Sequence, residues 1–158
     1  MQEARIDHAD LEQLVEKLAK APQVLAEAKR QAFQAAAPKL KSAVDAQIGG
    51  SGRVRSWQGT YVGSKGGYAA VRPKKKTYIE TKGKQRGFRA GPKKYAVGYV
   101  TNAVNYGHRT PRDAWGFRRQ AGTVSGREFY QSAQAQAETV GQETAQQIVD
   151  AVISHLEG

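Results

Sequence analysis

His8, His108 and His155 are the only imidazoles in this chain, and there is no cysteine. A zinc site needs three or four nitrogen, sulfur or oxygen ligands gathered together. These histidines are scattered through the sequence, with no carboxylates spaced around them as ligands, so no metal site is expected. Lack of cysteine removes thiolate nucleophiles and disulfides, and fits a reducing compartment. Carboxylate chemistry is equally thin: Glu80 and Asp113 are the only acids between residues 51 and 120. No serine sits in a Gly-x-Ser-x-Gly elbow. Gly63-Ser64-Lys65-Gly66-Gly67 lacks the Gly-Lys-[Ser/Thr] ending of a phosphate loop, and no helix is expected after it, so it reads as a hairpin tip. The expectation is a protein that is not an enzyme and uses no cofactor.

Basic residues are the chemistry the chain does have. Its net charge is +11, but the charge is unevenly distributed. Residues 1–50 hold seven Lys/Arg and seven Asp/Glu; residues 51–120 hold seventeen basic residues against two acids; residues 121–158 hold Arg127 against five acids. The middle segment therefore carries +15 and the last segment −4. Such asymmetry implies a polyanion or an acidic protein surface as a neighbour. The densest band is Lys74, Lys75, Lys76, Lys82, Lys84, Arg86, Arg89, Lys93 and Lys94, interleaved with Tyr78 and Phe88. It fits phosphate contact with a steep salt dependence. It also fits a loop that docks on acidic neighbours, or a charged surface that keeps the free subunit dispersed. No helix-turn-helix, zinc-finger or RNA-binding signature accompanies it.

The elements that must position these residues can be read from periodicity. A first helix is expected from Asp10, with Gln13 in a capping-box position and Leu11, Leu14, Val15 and Leu18 as an apolar stripe. Pro22 is expected to interrupt it or to start a second helix, which carries Phe33, Ala37, Leu40, Val44 and Ile48 on one face. Pro38 should kink or split that helix, and Gly49-Gly50 should end it. From Arg53 the period changes to two, giving a hairpin that turns at 63–67 and returns through Tyr68 to Arg72. A short strand is expected over 77–81, a basic loop over 73–94, and a last strand carrying Tyr95, Val97 and Tyr99. Residues 102–107 then form one helical turn, and 108–124 are irregular. A long helix follows from Gly126 to Leu156, burying Phe129, Ala133, Ala137, Val140, Ile148, Val152 and Leu156. The class is α+β: N-terminal helices, a small antiparallel sheet of three to four strands, and a long C-terminal helix packed on the sheet. One domain of 158 residues is expected, with parts at 1–50, 51–101, 102–125 and 126–158. No run is long and apolar enough for a membrane span, and the polar start is unlike a secretory signal, so a cytosolic product is expected.

Two fixed points frame the second half. One is Asn105-Tyr106-Gly107-His108-Arg109-Thr110; the other is Val124-Ser125-Gly126-Arg127-Glu128-Phe129, which opens the last helix. Gly107 is expected at positive φ, stopping the helical turn. Tyr106 and Phe129 read as core aromatics joining the corner to the helix. His108 reads as a turn residue making hydrogen bonds. Arg127 lies against the macrodipole at a helix start, so it is expected to reach an acid or a backbone carbonyl elsewhere, in the same subunit or its neighbour.

This order of a strand, an aromatic-Gly-His corner, a Trp115-bearing loop and a Gly-Arg-x-Phe helix start resembles the tail-completion (neck) proteins of long-tailed double-stranded DNA phages. The resemblance is best from Tyr95 through the helix after Phe129. The chain departs from the family pattern in having Asn105 where an acid is common and Ser125 where proline is usual. The resemblance implies a virion structural protein, made in the host cytoplasm and free of catalysis. It implies a ring, expected to be a hexamer, between the head connector or stopper and the tail tube or terminator. DNA would pass through that ring with non-specific contact at most. The free subunit is expected to be monomeric. Tyr106, Gly107, His108, Arg109, Trp115, Arg118, Arg119, Gly126, Arg127 and Phe129 are the implied partner-binding set. Loops 63–67, 73–94 and 108–124 would dock in the particle, each subunit offering two different faces. The alternative reading is a basic accessory protein that binds nucleic acid without sequence preference.

Overall fold

The computed structural model describes residues 8–50, 52–81, 93–110 and 122–157. The fold is α+β. Helix α1 (His8–Ile48) leads into α2 (Gly52–Trp57) and the strands β1 (Gln58–Val62) and β2 (Ala69–Pro73). Then come β3 (Tyr78–Thr81), β4 (Lys93–Ala96), α3 (Val97–Tyr106), β5 (Gly107–Thr110), β6 (Gly122–Ser125), α4 (Phe129–Ser132) and α5 (Gln134–Glu157). Among the described residues the strands do not merge into one sheet: β1–β2, β3–β4 and β5–β6 form separate antiparallel pairs.

α1 is the spine. It starts at His8 rather than Asp10 and runs unbroken through Pro22 and Pro38, against the expectation of two helices. Both prolines are exposed, as are Leu18 and Gln34 four residues before them, so the carbonyls left without a donor are open to water. The second half of the helix packs into the fold. Ala32, Ala36, Ala43, Val44 and Ile48 are buried there. α5 runs antiparallel along α1, from the Lys39–Glu143 ion pair at 2.6 Å to Lys17 Nζ, which donates to the Leu156 carbonyl at 3.3 Å. The β1–β2 hairpin lies along a neighbouring face, and its turn reaches Arg30, where Gly66 sits directly against the helix backbone.

Residues 52–57 form a helix, not the start of a strand. Val54 is buried, and the Gln58 side-chain amide donates to the Val54 carbonyl at 3.0 Å, tying α2 to the head of β1. The hairpin itself is as expected, with Gln58 opposite Pro73 and Val62 opposite Ala69. Tyr78–Thr81 forms the expected short strand, and it pairs with Lys93–Ala96, so Lys93 and Lys94 lie in a strand rather than a loop. Val97 and Tyr99 are helical. The buried set of α3 is Val97, Thr101 and Asn105, spaced by four, and two of the three are polar. That polar content hides the helical period behind the alternation of Tyr95, Val97 and Tyr99. The core joins Val44 and Ile48 of α1, Val54 of α2, Phe129 of α4 and Ala133, with Trp57, Val71, Val104 and Tyr130 packed against it.

Candidate functional site

The corner and the helix start, nineteen positions apart at their glycines, meet in space. β5 pairs with β6 from Gly107 opposite Ser125 to Thr110 opposite Gly122, so part of the stretch expected to be irregular is a two-stranded ribbon. Gly107 has φ +83°, as expected. A Cβ there would lie 2.4 Å from the Val124 carbonyl oxygen and 2.8 Å from the Gly126 nitrogen. A Cβ on Gly126 would lie 2.3 Å from the Asn105 oxygen and 2.8 Å from the Gly107 nitrogen. The two glycines are thus packed backbone to backbone at the base of the ribbon, where no side chain fits between them.

This clasp also finishes a helix. The last carbonyls of α3 have no donors within the helix. The Arg127 backbone N–H donates to the Val104 carbonyl at 3.0 Å, and the Glu128 N–H donates to the Asn105 carbonyl at 2.9 Å. Glu128 takes a left-handed conformation, φ 51°, to make this turn. The contribution of Arg127 is therefore its peptide N–H. Its side chain is exposed and makes no ion pair or hydrogen bond with a described residue of its own chain.

Asn105 is the centre of the polar wiring behind the clasp. It is fully buried. Its Oδ1 accepts from the Tyr130 N–H at 3.1 Å, and its Nδ2 donates to Gln131 Oε1 at 3.2 Å. The Tyr130 hydroxyl donates to Gln58 Oε1 at 2.6 Å, so the wiring continues to the head of β1. No side chain at the start of α4 itself caps that helix; Asn105 supplies the acceptor from across the corner. Gln58, Tyr130 and Gln131 were not legible as partners, since nothing in their local patterns marks them.

Burial pushes the Tyr130 phenol from its ordinary value near 10 up to about 12. An unfolded tyrosine ionises first as pH rises, so this group's contribution is intact below pH 10 and is lost as pH climbs towards about 12. Tyr130→Phe should cost about 1 kcal/mol at neutral pH by removing the bond to Gln58. It should also make the alkaline loss of stability shallower than in the wild type. Denaturant midpoints measured from neutral pH to strongly alkaline pH check both.

The other expected site residues fall into three groups. Phe129 is fully buried, as expected. Tyr106 is 65% exposed, not in the core. It follows Asn105 by one residue, about 100° round the helix from the buried stripe, and so faces away. His108 and Arg109 are exposed on β5, in a strand rather than a turn. Trp115, Arg118, Arg119, Lys82, Lys84, Arg86 and Arg89 lie outside the described residues. Lys74, Lys75 and Lys76 are exposed between β2 and β3, while Lys94 pairs with Glu80 at 3.1 Å. Near them the Arg72 guanidinium sits 4.1 Å over the Tyr61 ring.

Among the described residues, no group of three or more His, Asp or Glu side chains could hold a metal ion, and no helix is long and apolar enough to cross a membrane. Several large apolar side chains are left in water instead. Leu11, Leu14, Val15 and Leu18 are 49%, 46%, 59% and 53% exposed, and Tyr99 is 68% exposed. The sequence marks the leucine stripe as a helix face but gives no sign that it stays uncovered. No family model, curated protein or solved structure matches this chain.

Proposed function

We propose that this chain is a structural subunit of a tailed phage or prophage particle, forming a ring where the head connector meets the tail tube. The observation that carries the reading is the Gly107–Gly126 clasp. The two sequence points whose order resembles the neck family also pack against each other and organise one corner. Exposed apolar side chains on α1 and α3 suit a subunit whose surfaces are completed by neighbours. In this reading the free chain is a monomer when dilute, and about six copies close through two different faces. Genomic DNA passes through the ring, with Lys74, Lys75 and Lys76 available for non-specific phosphate contact.

Electron microscopy of a lysate from phage lacking this protein tests the proposal. Full heads beside separate finished tails are the expected result of losing a joining ring; overlong tails are expected of losing a terminator. Normal infectious particles would contradict both. The basic middle segment also favours a second reading, a nucleic-acid-binding accessory. That reading predicts tight, steeply salt-dependent binding to random duplex DNA, together with normal head–tail joining in the deletion.

A further inference from the structure

We propose that the N-terminal stretch of α1 from one copy seats in the groove between β2 and α5 of a second copy. The stretch overhangs its own fold. The last hydrogen bonds between described residues of α5 and α1 are at Lys17, where the Leu156 carbonyl accepts from Lys17 Nζ and the His155 ring meets the Lys17 carbonyl at 3.1 Å. α1 continues for nine more residues to His8, about 14 Å at 1.5 Å per residue. The β1–β2 turn reaches only Arg30. Leu11, Leu14, Val15 and Leu18 thus form an i, i+3, i+4, i+7 face, about half exposed, that no described element of this chain covers. That spacing is how an amphipathic helix anchors in an apolar groove.

The same chain has such a groove. It is about 380 Å³ and lies across α1, walled by β2 and α5. Its lining includes Ala36, Leu40, Ala70, Ala137, Val140 and Gly141, and small side chains leave room for leucine-sized knobs. The groove spans α1 from Phe33 to Val44, about 16 Å, and the stripe from Leu11 to Leu18 spans about 11 Å. A chain cannot fill its own groove with its own tip. α1 is unbroken, and Leu14 is about 39 Å along it from Leu40.

Charge selects a second copy as the occupant. Residues 8–18, the seating stretch, carry Asp10, Glu12 and Glu16 against Lys17, a net −2. Residues 52–76, which include the β1–β2 wall, carry seven Lys/Arg and no acid, a net +7. The other wall, α5, bears Glu138 and Glu143, so Glu12 and Glu16 are steered towards the hairpin side. The contact joins two different faces, the kind that propagates round a ring. It supplies a subunit contact to the proposed neck ring and rests on that reading only for its closure.

The absence of cysteine gives a clean test. Leu14→Cys places a thiol on the exposed stripe and Val140→Cys places one in the half-exposed groove wall, both in full-length protein checked for folding by circular dichroism. The two are mixed at about 0.1 mM each, enough to saturate a micromolar contact, then oxidised and run without reductant. The expected result is at least ten-fold more cross-linked dimer in the mixture than in either variant alone. Leu11→Asp added to the Leu14→Cys partner should abolish that excess. Equal dimer from Leu14→Cys alone would mean tip-to-tip pairing and would overturn the proposal, as would no excess in the mixture. Because the purified chain is used, this outcome is independent of the deletion phenotype that tests the particle role.

Discussion

Gly126→Ala should destabilise the protein by about 3 kcal/mol or more, and Gly107→Ala by a similar amount. Each new methyl group would meet backbone, not a side chain that can rotate away. At Gly126 the obstacles are the Asn105 oxygen at 2.3 Å and the Tyr106 carbonyl carbon at 2.5 Å; at Gly107, the Val124 oxygen at 2.4 Å. Gly107 adds the cost of φ +83° for a side-chain-bearing residue. Relief would require the ribbon and the end of α3 to part, breaking the Arg127 and Glu128 N–H bonds that finish that helix. For a chain of this size each lost kcal/mol lowers the melting temperature by about 2–4 °C, so a fall of about 10 °C is expected. Gly141→Ala is the control. Its Cβ meets nothing within 4 Å in the middle of α5, and it should gain about 0.5–1 kcal/mol through helix propensity. Thermal melts of the three variants decide the matter. A harmless Gly126→Ala would show that the two motif halves are not in contact.

Asn105→Leu is the second large effect. The side chain is of similar size, but the Tyr130 N–H at the start of α4 and the Gln131 amide would lose their partner inside the protein. An orphaned buried polar group costs about 1–3 kcal/mol; Gln131 is exposed and can turn to water, so the Tyr130 N–H carries the penalty and a loss of about 1–3 kcal/mol is expected. Asn105→Asp should cost clearly less at neutral pH. A carboxylate keeps the acceptor for Tyr130 N–H, and the Gln131 amide can turn to donate. Equilibrium denaturation of the pair is the check; an Asp variant as damaging as Leu would show that the Nδ2 donor, not the Oδ1 acceptor, is what the corner needs.

Legibility of this fold in the sequence follows the chemistry of each segment. The spine and the last helix carry long apolar periods, so their faces could be read; Phe129, Ala133 and Val44 lie where the pattern puts them. Pro22 and Pro38 misled because the expectation weighs a lost hydrogen bond without knowing which face meets water. α3 was hidden because its buried stripe is Val97, Thr101 and Asn105, and hydrophobicity registers only the first. α2 was hidden because six residues held by Val54 and a Gln58 amide have no period to detect. Separate strand pairs in place of one sheet depend on tertiary placement, which alternation along a strand does not encode.

The candidate site divides in the same way. Both glycines were identifiable, and Gly107 was read for its conformation, but their mutual contact needed the fold. The acidic and basic segments were plain in composition, yet which of them could face one another needed the antiparallel seating of α5 on α1 and the hairpin beside it. Residue type alone points Tyr106 to the core, and one residue of helical rotation sends it outward. Exposure of the Leu11 stripe is legible only once α5 is seen to end near Lys17.

The central claim is that copies of this chain are built into the neck of a particle. Quantitative mass spectrometry of gradient-purified particles, with the tail-tube protein as internal standard, tests it most directly. The account predicts a fixed, small stoichiometry of about six copies per particle, unchanged when genome length is varied. Absence from purified particles while the protein is abundant in the lysate, or a copy number that scales with packaged DNA, would contradict it.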